Sequence, residues 1–148
     1  MTGSAPTAGP DVHEVADRLH SAAIRVLRGV RGEDVHAGVT AARLSALSVL
    51  VFAGPVTVGR LADAEQVSVP TISRMIAQMV NEELVRREPD ATDRRLVWLH
   101  ATKQGTRILR EARRRRIEAL AHRIEGLGAE DLADLLRAAD LVEEVFRG

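Results

Sequence analysis

This chain of 148 residues has no cysteine and few aromatics: no Tyr, one Trp and two Phe. The lack of cysteine excludes disulfides, thiolate metal sites and thiol-based redox sensing. A chain without disulfides fits the reducing cytosol. The lack of tyrosine excludes a phenolic general acid or base. The longest apolar stretch, residues 47–58, is too short to cross a bilayer and is interrupted by Gly54-Pro55. We therefore expect a cytoplasmic protein with no membrane segment.

The sequence also lacks the short motifs of common enzymes. It contains no HExxH, no nucleophile elbow, no P-loop and no dinucleotide fingerprint. His13, Asp17 and His20 share one side of a predicted helix, a spacing that could supply metal ligands. No second cluster completes a coordination shell, so we interpret them as a solvated helix face. We expect no enzymatic activity, no cofactor and no metal.

The formal net charge is zero, yet the charge is unevenly distributed along the chain. Residues 60–116 carry 13 basic and 8 acidic side chains, a net charge of +5, whereas residues 117–148 carry 3 and 8, a net charge of −5. Salt screens charges that lie more than about 8 Å apart at physiological ionic strength, so a local basic surface is enough to attract phosphates. The middle of the chain is the candidate region for an anionic partner.

Apolar periodicity predicts helices at both ends of the chain. Residues 1–10 are small, polar and rich in Pro and Gly, which is typical of a disordered tail. A first helix is expected from Val12 to about Arg31, ending at the "RGEDVHAG" segment. Its apolar residues fall on two faces, so we expect it to pack against a partner helix. Beyond Thr102, a long helix to about Gly126 and a final helix are expected, the last with these residues inward: Leu132, Leu135, Leu136, Ala139 and Val142.

Between these ends, the sequence predicts three shorter helices and a hairpin. Thr40 and Thr57 are suited to capping the first two helices, and the Gly54-Pro55 pair separates them. The third helix begins at Ser68. Two short strands, "VRRE" and "LVWLH", then flank a loop that begins "PDATD". The predicted fold is therefore mainly α with a small β-hairpin wing, a winged helix-turn-helix between terminal helices.

The helix that begins at Ser68 carries the first set of candidate binding residues. Its apolar positions define a buried face, and its other face is small near the N-terminus and polar throughout. Such a helix can enter the major groove of DNA, where hydrogen-bonding side chains read base edges. Arg74 could bind a guanine edge or a phosphate, and the sequence leaves both open. The candidate residues are Ser68, Pro70, Thr71, Ser73, Arg74 and Gln78.

The hairpin loop carries the second set. Arg94 and Arg95 could reach the minor groove or the DNA backbone, where a guanidinium is favoured by the negative potential. We assign a structural role to Asp93, either holding one arginine or accepting hydrogen bonds from loop amides. A second basic run, Arg113 to Arg116, points in several directions around its helix, so we interpret it mainly as a solvated or salt-bridged surface.

These motifs resemble the MarR family of bacterial transcriptional regulators from about Val12 to Phe146. The wing pattern of that family, an Asp-Arg-Arg tip leading through a strand to a Thr-x-x-Gly helix start, is similar to Asp93-Arg94-Arg95 and Thr102-Lys103-Gln104-Gly105. Two positions depart from the pattern. Glu83 replaces a usual glycine, which predicts a strained left-handed backbone there, and Ala101 replaces a usual leucine.

The resemblance implies a homodimer that binds double-stranded DNA at a pseudo-palindromic operator. It implies one MarR-type domain over residues 11–148, with a winged helix-turn-helix at about 40–101 and dimerisation helices at about 11–31 and 102–147. It further implies a repressor that releases DNA when a small-molecule effector binds between the two regions. With three aromatic residues in the chain, no side chain is assigned to an effector.

Two alternatives stay open at this point. A regulator of the same fold could be a ligand-independent activator or an architectural DNA-binding protein. Its binding would depend steeply on salt and little on DNA sequence, because phosphate contacts carry no sequence information. A winged-helix protein-interaction module or metal sensor that does not bind DNA is the other alternative, supported only by Glu82, Glu83 and the neutral net charge.

Overall fold

The computed structural model describes residues 9–36, 39–93 and 95–147. Within these ranges the chain forms six helices and three short strands. The elements are α1 (Val12–His36), α2 (Ala41–Phe52), β1 (Val56–Thr57), α3 (Val58–Ala64), α4 (Val69–Asn81), β2 (Val85–Pro89), β3 (Val97–Ala101), α5 (Lys103–Ile124) and α6 (Ala129–Phe146). The predicted class, mainly helical with a hairpin wing, is confirmed.

Local sequence signals set the starts of four helices. The side chains of Thr40, Thr57, Ser68 and Thr102 each accept a hydrogen bond from the backbone N–H three residues later. Each cap satisfies one of the amides that have no intrahelical partner in the first turn. The caps predicted at Thr40 and Thr57, and the helix starts predicted at Ser68 and after Thr102, are therefore confirmed.

The strands form a small antiparallel sheet in the order β1-β3-β2. In the β2-β3 hairpin, Val85 pairs with Ala101 and Pro89 with Val97, so the two strands stay in register along their whole length. The pair Val56 and Thr57 adds β1 to the other edge of β3. Strand β1 was not predicted from the sequence, because two residues are too few to show an alternating pattern.

One continuous core lies between α2, α3, α4, the sheet and the first half of α5. We call residues 39–112, which surround this core, the winged-helix lobe. Its largest buried side chains are Leu44, Leu47, Leu61, Ile72, Ile76, Met79, Leu84, Val85 and Leu99. Leu109 and Ala112 of α5 close the same core from the C-terminal side.

The terminal helices differ from the prediction in two respects. Helix α1 does not end near Arg31 but continues to His36. A single interior glycine, Gly32, costs a helix only about 1 kcal/mol, which is too little to end it. The expected inward face of α6 is also wrong for the isolated chain: α6 has no buried residue, and Leu132, Leu135 and Leu136 are all exposed.

Candidate nucleic-acid interface

Helix α4 has a buried face and an exposed face, as the sequence predicted. Ile72, Ile76 and Met79 are buried in the lobe core. Pro70 lies in the first turn, where its missing N–H has no cost. The Ser68 hydroxyl caps the helix and lies 2.9 Å from the Thr71 hydroxyl, so these two side chains form a hydrogen-bonded pair at the N-terminus.

Five of the six candidate residues of this helix region are exposed. Ser68, Pro70, Thr71, Arg74 and Gln78 are open to solvent. Ser73 is half-buried and therefore less available to a ligand. In the part of the chain that the structure describes, the Arg74 guanidinium has no hydrogen-bonding or ionic partner. Arg74 and Gln78 are four residues apart and so are neighbours on the helix surface.

Gln78 is held by a residue of another helix. Arg43 of α2 donates one hydrogen bond to Gln78 Oε1 at 3.1 Å and a second to Glu82 Oε2 at 2.8 Å. The Arg43 side chain is only 16% exposed. Its cation lies near the C-terminal end of α4, where the helix dipole favours positive charge. Sequence reasoning missed Arg43, because nothing local links it to residues 35 and 39 positions later.

The turn of the wing is organised by Asp90, which sequence reasoning also missed. Its Oδ1 accepts hydrogen bonds from the Thr92 N–H, the Thr92 hydroxyl and the Asp93 N–H at 2.7–2.9 Å. Its Oδ2 accepts from the indole Nε1 of Trp98 at 2.8 Å. These bonds, led by that from Trp98, hold the pKa of the Asp90 carboxyl well below its ordinary value. The pattern Asp-x-Thr is a known turn signal that could have identified this residue.

The candidate wing residues lie at the end of the same turn. Asp93 Oδ1 accepts a hydrogen bond from the Arg95 N–H at 2.9 Å, which is the loop-amide role among the two alternatives considered for Asp93. The Arg95 side chain is exposed. Arg94 lies outside the described residues. The wing therefore presents Arg95 on a turn that Asp90 and Asp93 hold in shape.

Hydrogen bonds join the base of the wing to the end of α4. Glu83 has the left-handed φ of 59° predicted from its place in the sequence. The Leu84 N–H donates to Met79 O at 2.8 Å, as in a Schellman helix ending. The Thr102 hydroxyl donates to Glu83 O at 2.6 Å. Because these bonds connect α4, β2 and α5, helix α4 and the wing form one body.

The basic run of α5 divides between two environments. Arg114 contacts Glu111 and Glu118, and Arg115 contacts Glu111, as expected for a salt-bridged surface. Arg113 and Arg116 instead line a cleft of about 500 Å³ between α1, α2 and α5. The rest of its lining is mostly apolar: Leu27, Val30, Ala41, Leu44, Ser45, Ser48, Phe52, Leu109 and Ala112. The sequence did not reveal this cleft, because its walls come from three separate helices.

His13, Asp17 and His20 are exposed on α1. The described residues contain no group of three His, Asp or Glu side chains arranged to hold a metal ion. No helix among them is long and apolar enough to span a membrane.

Comparisons with known proteins agree with this geometry. The model of the MarR family matches residues 39–97. An HTH-type transcriptional regulator of Mycobacterium leprae is 36% identical over 133 residues, which cover 89% of this chain and 92% of that protein. The crystal structure of RV1404 from Mycobacterium tuberculosis superimposes with a TM-score of 0.80 at 24% identity, over 96% and 99% of the two chains. Apo wild-type MarR from E. coli superimposes with a TM-score of 0.76 at 20% identity, over 98% and 99%.

Proposed function

Because this chain belongs to the MarR family of transcriptional regulators, we propose that it is a dimeric, sequence-specific repressor whose operator binding is relieved by a small molecule. A transcriptional regulator with a DNA-binding winged helix is not an enzyme. It binds the bacterial chromosome, which lies in the cytoplasm. The exposed polar face of α4, rigidly joined to the wing, is the observation that carries the proposal.

Two parts of the lobe would contact DNA differently. The exposed face of α4 offers Arg74 and Gln78 to base edges, and its capped N-terminus favours a nearby phosphate. The wing would place Arg94 and Arg95 against the minor groove or the backbone. Ser68, Pro70 and Thr71 lie at the N-terminal end of α4, where a close approach to the DNA backbone needs small side chains. Ser73, being half-buried, would support the helix rather than read bases.

The terminal helices support a homodimer. On α6, Leu136, Leu141 and Phe146 are 66%, 61% and 74% exposed, and on α1 Val12 and Leu27 are similarly uncovered. Apolar side chains in such number on two helices favour burial against a second copy. Twofold symmetry would then place two α4 helices in successive major grooves, about one helical turn apart, on a pseudo-palindromic site.

The cleft of α1, α2 and α5 is the proposed effector site. It combines apolar walls from Leu44 and Leu109 with the guanidinium groups of Arg113 and Arg116. That combination favours a small organic acid, whose carboxylate or phenolate would contact arginine while its apolar part is buried. Since α1 would belong to the dimer interface and α2 to the lobe, a ligand there could change the spacing of the two DNA-binding lobes.

The test is fluorescence anisotropy on a duplex from upstream of the protein's own gene and on a shuffled duplex, at several salt concentrations. We expect a preference of about 10³-fold or more at physiological salt. Arg94→Ala with Arg95→Ala should weaken binding to both duplexes, whereas Arg74→Ala should cost more on the operator. Equal, strongly salt-sensitive binding to both duplexes would point instead to an architectural DNA-binding protein.

A screen of small organic acids would test the effector. Release of the operator by an acid in wild-type protein, and its loss in Arg113→Gln, is the expected result. Operator binding that no acid changes would favour the ligand-independent regulator. If Arg113→Gln still released the operator as fully as wild type in response to the acid, the effector would bind outside the cleft.

A further inference from the structure

Ser45 of α2 takes part in two regions of the molecule at once. Its side chain lines the cleft of α1, α2 and α5 that also holds Arg113 and Arg116. Its hydroxyl donates a hydrogen bond to Glu65 Oε1 at 2.9 Å, at the C-terminal end of α3. This hydrogen bond therefore joins the proposed effector site to the helix-turn-helix formed by α3 and α4.

Glu65 lies where α3 ends and the turn to α4 begins. It is the C-cap of α3, and its N–H donates to Leu61 O at 3.0 Å. The next residue, Gln66, has a left-handed φ of 53°, which is a strained conformation for a residue with a Cβ. Shortly after it, Ser68 caps α4. The hydrogen bond from Ser45 thus attaches to α2 the strained turn from which α4 starts.

The Ser45 hydroxyl has a single hydrogen to donate, and Glu65 accepts it. A carboxylate ligand can only accept hydrogen bonds, so it cannot use the lone pairs of the serine oxygen. To bond to Ser45, such a ligand has to take the hydrogen from Glu65. Two carboxylates that face one hydroxyl also repel each other. A carboxylate bound at Ser45 and the hydrogen bond from Ser45 to Glu65 therefore exclude each other.

Building on the proposed repressor and its effector cleft, we propose that Ser45 is the positioning residue that connects the cleft to DNA binding. It holds Glu65 when the cleft is empty, and it releases Glu65 when an organic carboxylate takes its hydroxyl. The N-terminal end of α4 is then held less firmly, so affinity for the operator falls. This contact favours a carboxylate as the acidic group of the effector.

The contact is tested first without a ligand, by fluorescence anisotropy on the operator duplex. Ser45→Ala removes the donor and Glu65→Ala the acceptor, so each should weaken operator binding about tenfold. The double variant should lose no more than either single variant, because both changes remove the same interaction. Ser45→Thr keeps the hydroxyl and should bind like wild type. Thermal melting of each variant separates a loss of affinity from a loss of folding.

Benzoate and naphthoate, each a carboxylate on an apolar ring, are the probes of the second test. At saturation, the acid should weaken operator binding by wild type and by Ser45→Thr about tenfold, the factor expected for Ser45→Ala without acid. Calorimetry should still detect the acid bound to Ser45→Ala, through Arg113. Operator binding by that variant should change less than about twofold, because the bond that the acid breaks is already absent. Glu65→Ala gives the same readouts should Ser45→Ala not fold.

A Ser45→Ala variant that folds and binds the operator as tightly as wild type would overturn the proposal. Additive losses in the double variant, or undiminished release of the operator by acid in Ser45→Ala, would also overturn it. So would failure of both acids to bind wild type. A wild-type protein that prefers no operator duplex over shuffled DNA would instead refute the proposed function itself.

Discussion

Within the winged-helix lobe, Leu47, Leu61 and Leu99 are fully buried, whereas the 18 residues of α6 include none that is buried. Both regions have apolar residues at helical spacing. The lobe surrounds its apolar faces with α2, α3, α4 and the sheet, while α6 leaves side chains such as Leu141 and Val145 in solvent. The same sequence pattern therefore has two outcomes, depending on whether this chain supplies the opposite wall.

This difference shows which region depends on a second copy. Burying one leucine contributes about 1.5–3 kcal/mol, so the exposed residues of α1 and α6 represent a large unused driving force. The lobe should fold by virtue of its own core, and the terminal helices should owe their stability to the proposed dimer. The predictions below test that division, from the largest expected effect to the smallest.

The largest effect should come from charging α6. Leu136→Asp with Leu141→Asp would place two carboxylates in the proposed interface, where a charge without a partner is strongly unfavourable. We expect the dimer to dissociate about 10³-fold more readily, corresponding to about 4 kcal/mol, as measured by sedimentation equilibrium. Leu96→Asp, at a 41% exposed leucine of the lobe, is the matched control and should stay dimeric. An unchanged mass for the double variant would place the interface elsewhere.

A smaller effect, a loss of folding stability, should follow from adding a side chain at Gly105 in the lobe. A Cβ there would lie 2.2 Å from Leu84 O and 3.0 Å from Leu47 Cδ2, so the backbone at Leu84 and helix α5 would have to move apart. Gly105→Ala should lower the free energy of unfolding by about 2–3 kcal/mol in chemical denaturation. Gly59→Ala has open space around its Cβ and should be neutral or stabilise α3 by up to about 1 kcal/mol. Equal effects of the two changes would mean that the lobe is not closely packed at Gly105.

A gain in folding stability is expected when Glu83 is replaced by glycine, because the left-handed backbone at Glu83 is strained for a residue with a Cβ. Glu83→Gly should raise the free energy of unfolding by about 0.5–1 kcal/mol without changing the oligomeric state of the protein. Glu82→Gly, at φ −91°, is the control and should be destabilising. A loss of stability in Glu83→Gly would show that the strain there is already relieved by contacts of the glutamate.

The smallest expected effect is a change in the stability of the fold at low pH, through Asp90 in the turn of the wing. Because the folded protein lowers the pKa of Asp90, the ionised carboxylate stabilises the fold above the ordinary aspartate pKa of about 4, and this contribution is lost as the pH falls below it. The stability difference between wild type and Asp90→Asn should therefore shrink as the pH is lowered from 6 to 3. The indole N–H resonance of Trp98, the one tryptophan, reports on the same bond.

The α6 variant, which we expect to be monomeric, also tests whether the wing depends on a second copy of the chain. If the lobe is self-sufficient, the Trp98 resonance should keep its wild-type position at pH 7 in Leu136→Asp with Leu141→Asp. A shift at neutral pH in that variant would show that the wing depends on the dimer. A pH-independent difference between wild type and Asp90→Asn would mean that the Asp90 carboxylate adds no pH-linked stability.

The features that the sequence predicted correctly arise over short distances. Each cap, such as Ser68 with the Thr71 N–H, joins residues three apart, and the period of the apolar positions identified the buried face of α4. The strained Glu83 followed from one departure in a familiar pattern. Failures came where a signal was weak or distant. Helix α1 continues past its predicted end near Arg31 to His36, and β1, with two residues, is too short to show an alternating pattern.

From the sequence alone come the order of the helices and of the hairpin, the helix starts, and the polar residues of α4 and the wing, because each depends on neighbours along the chain. Tertiary structure decided the rest: Arg43 beside Gln78, Arg113 and Arg116 in a cleft with Val30, and the exposure of α6. These depend on which surfaces meet when distant segments pack together. A local pattern shows that a residue is polar or apolar, and only the packed chain shows what it faces.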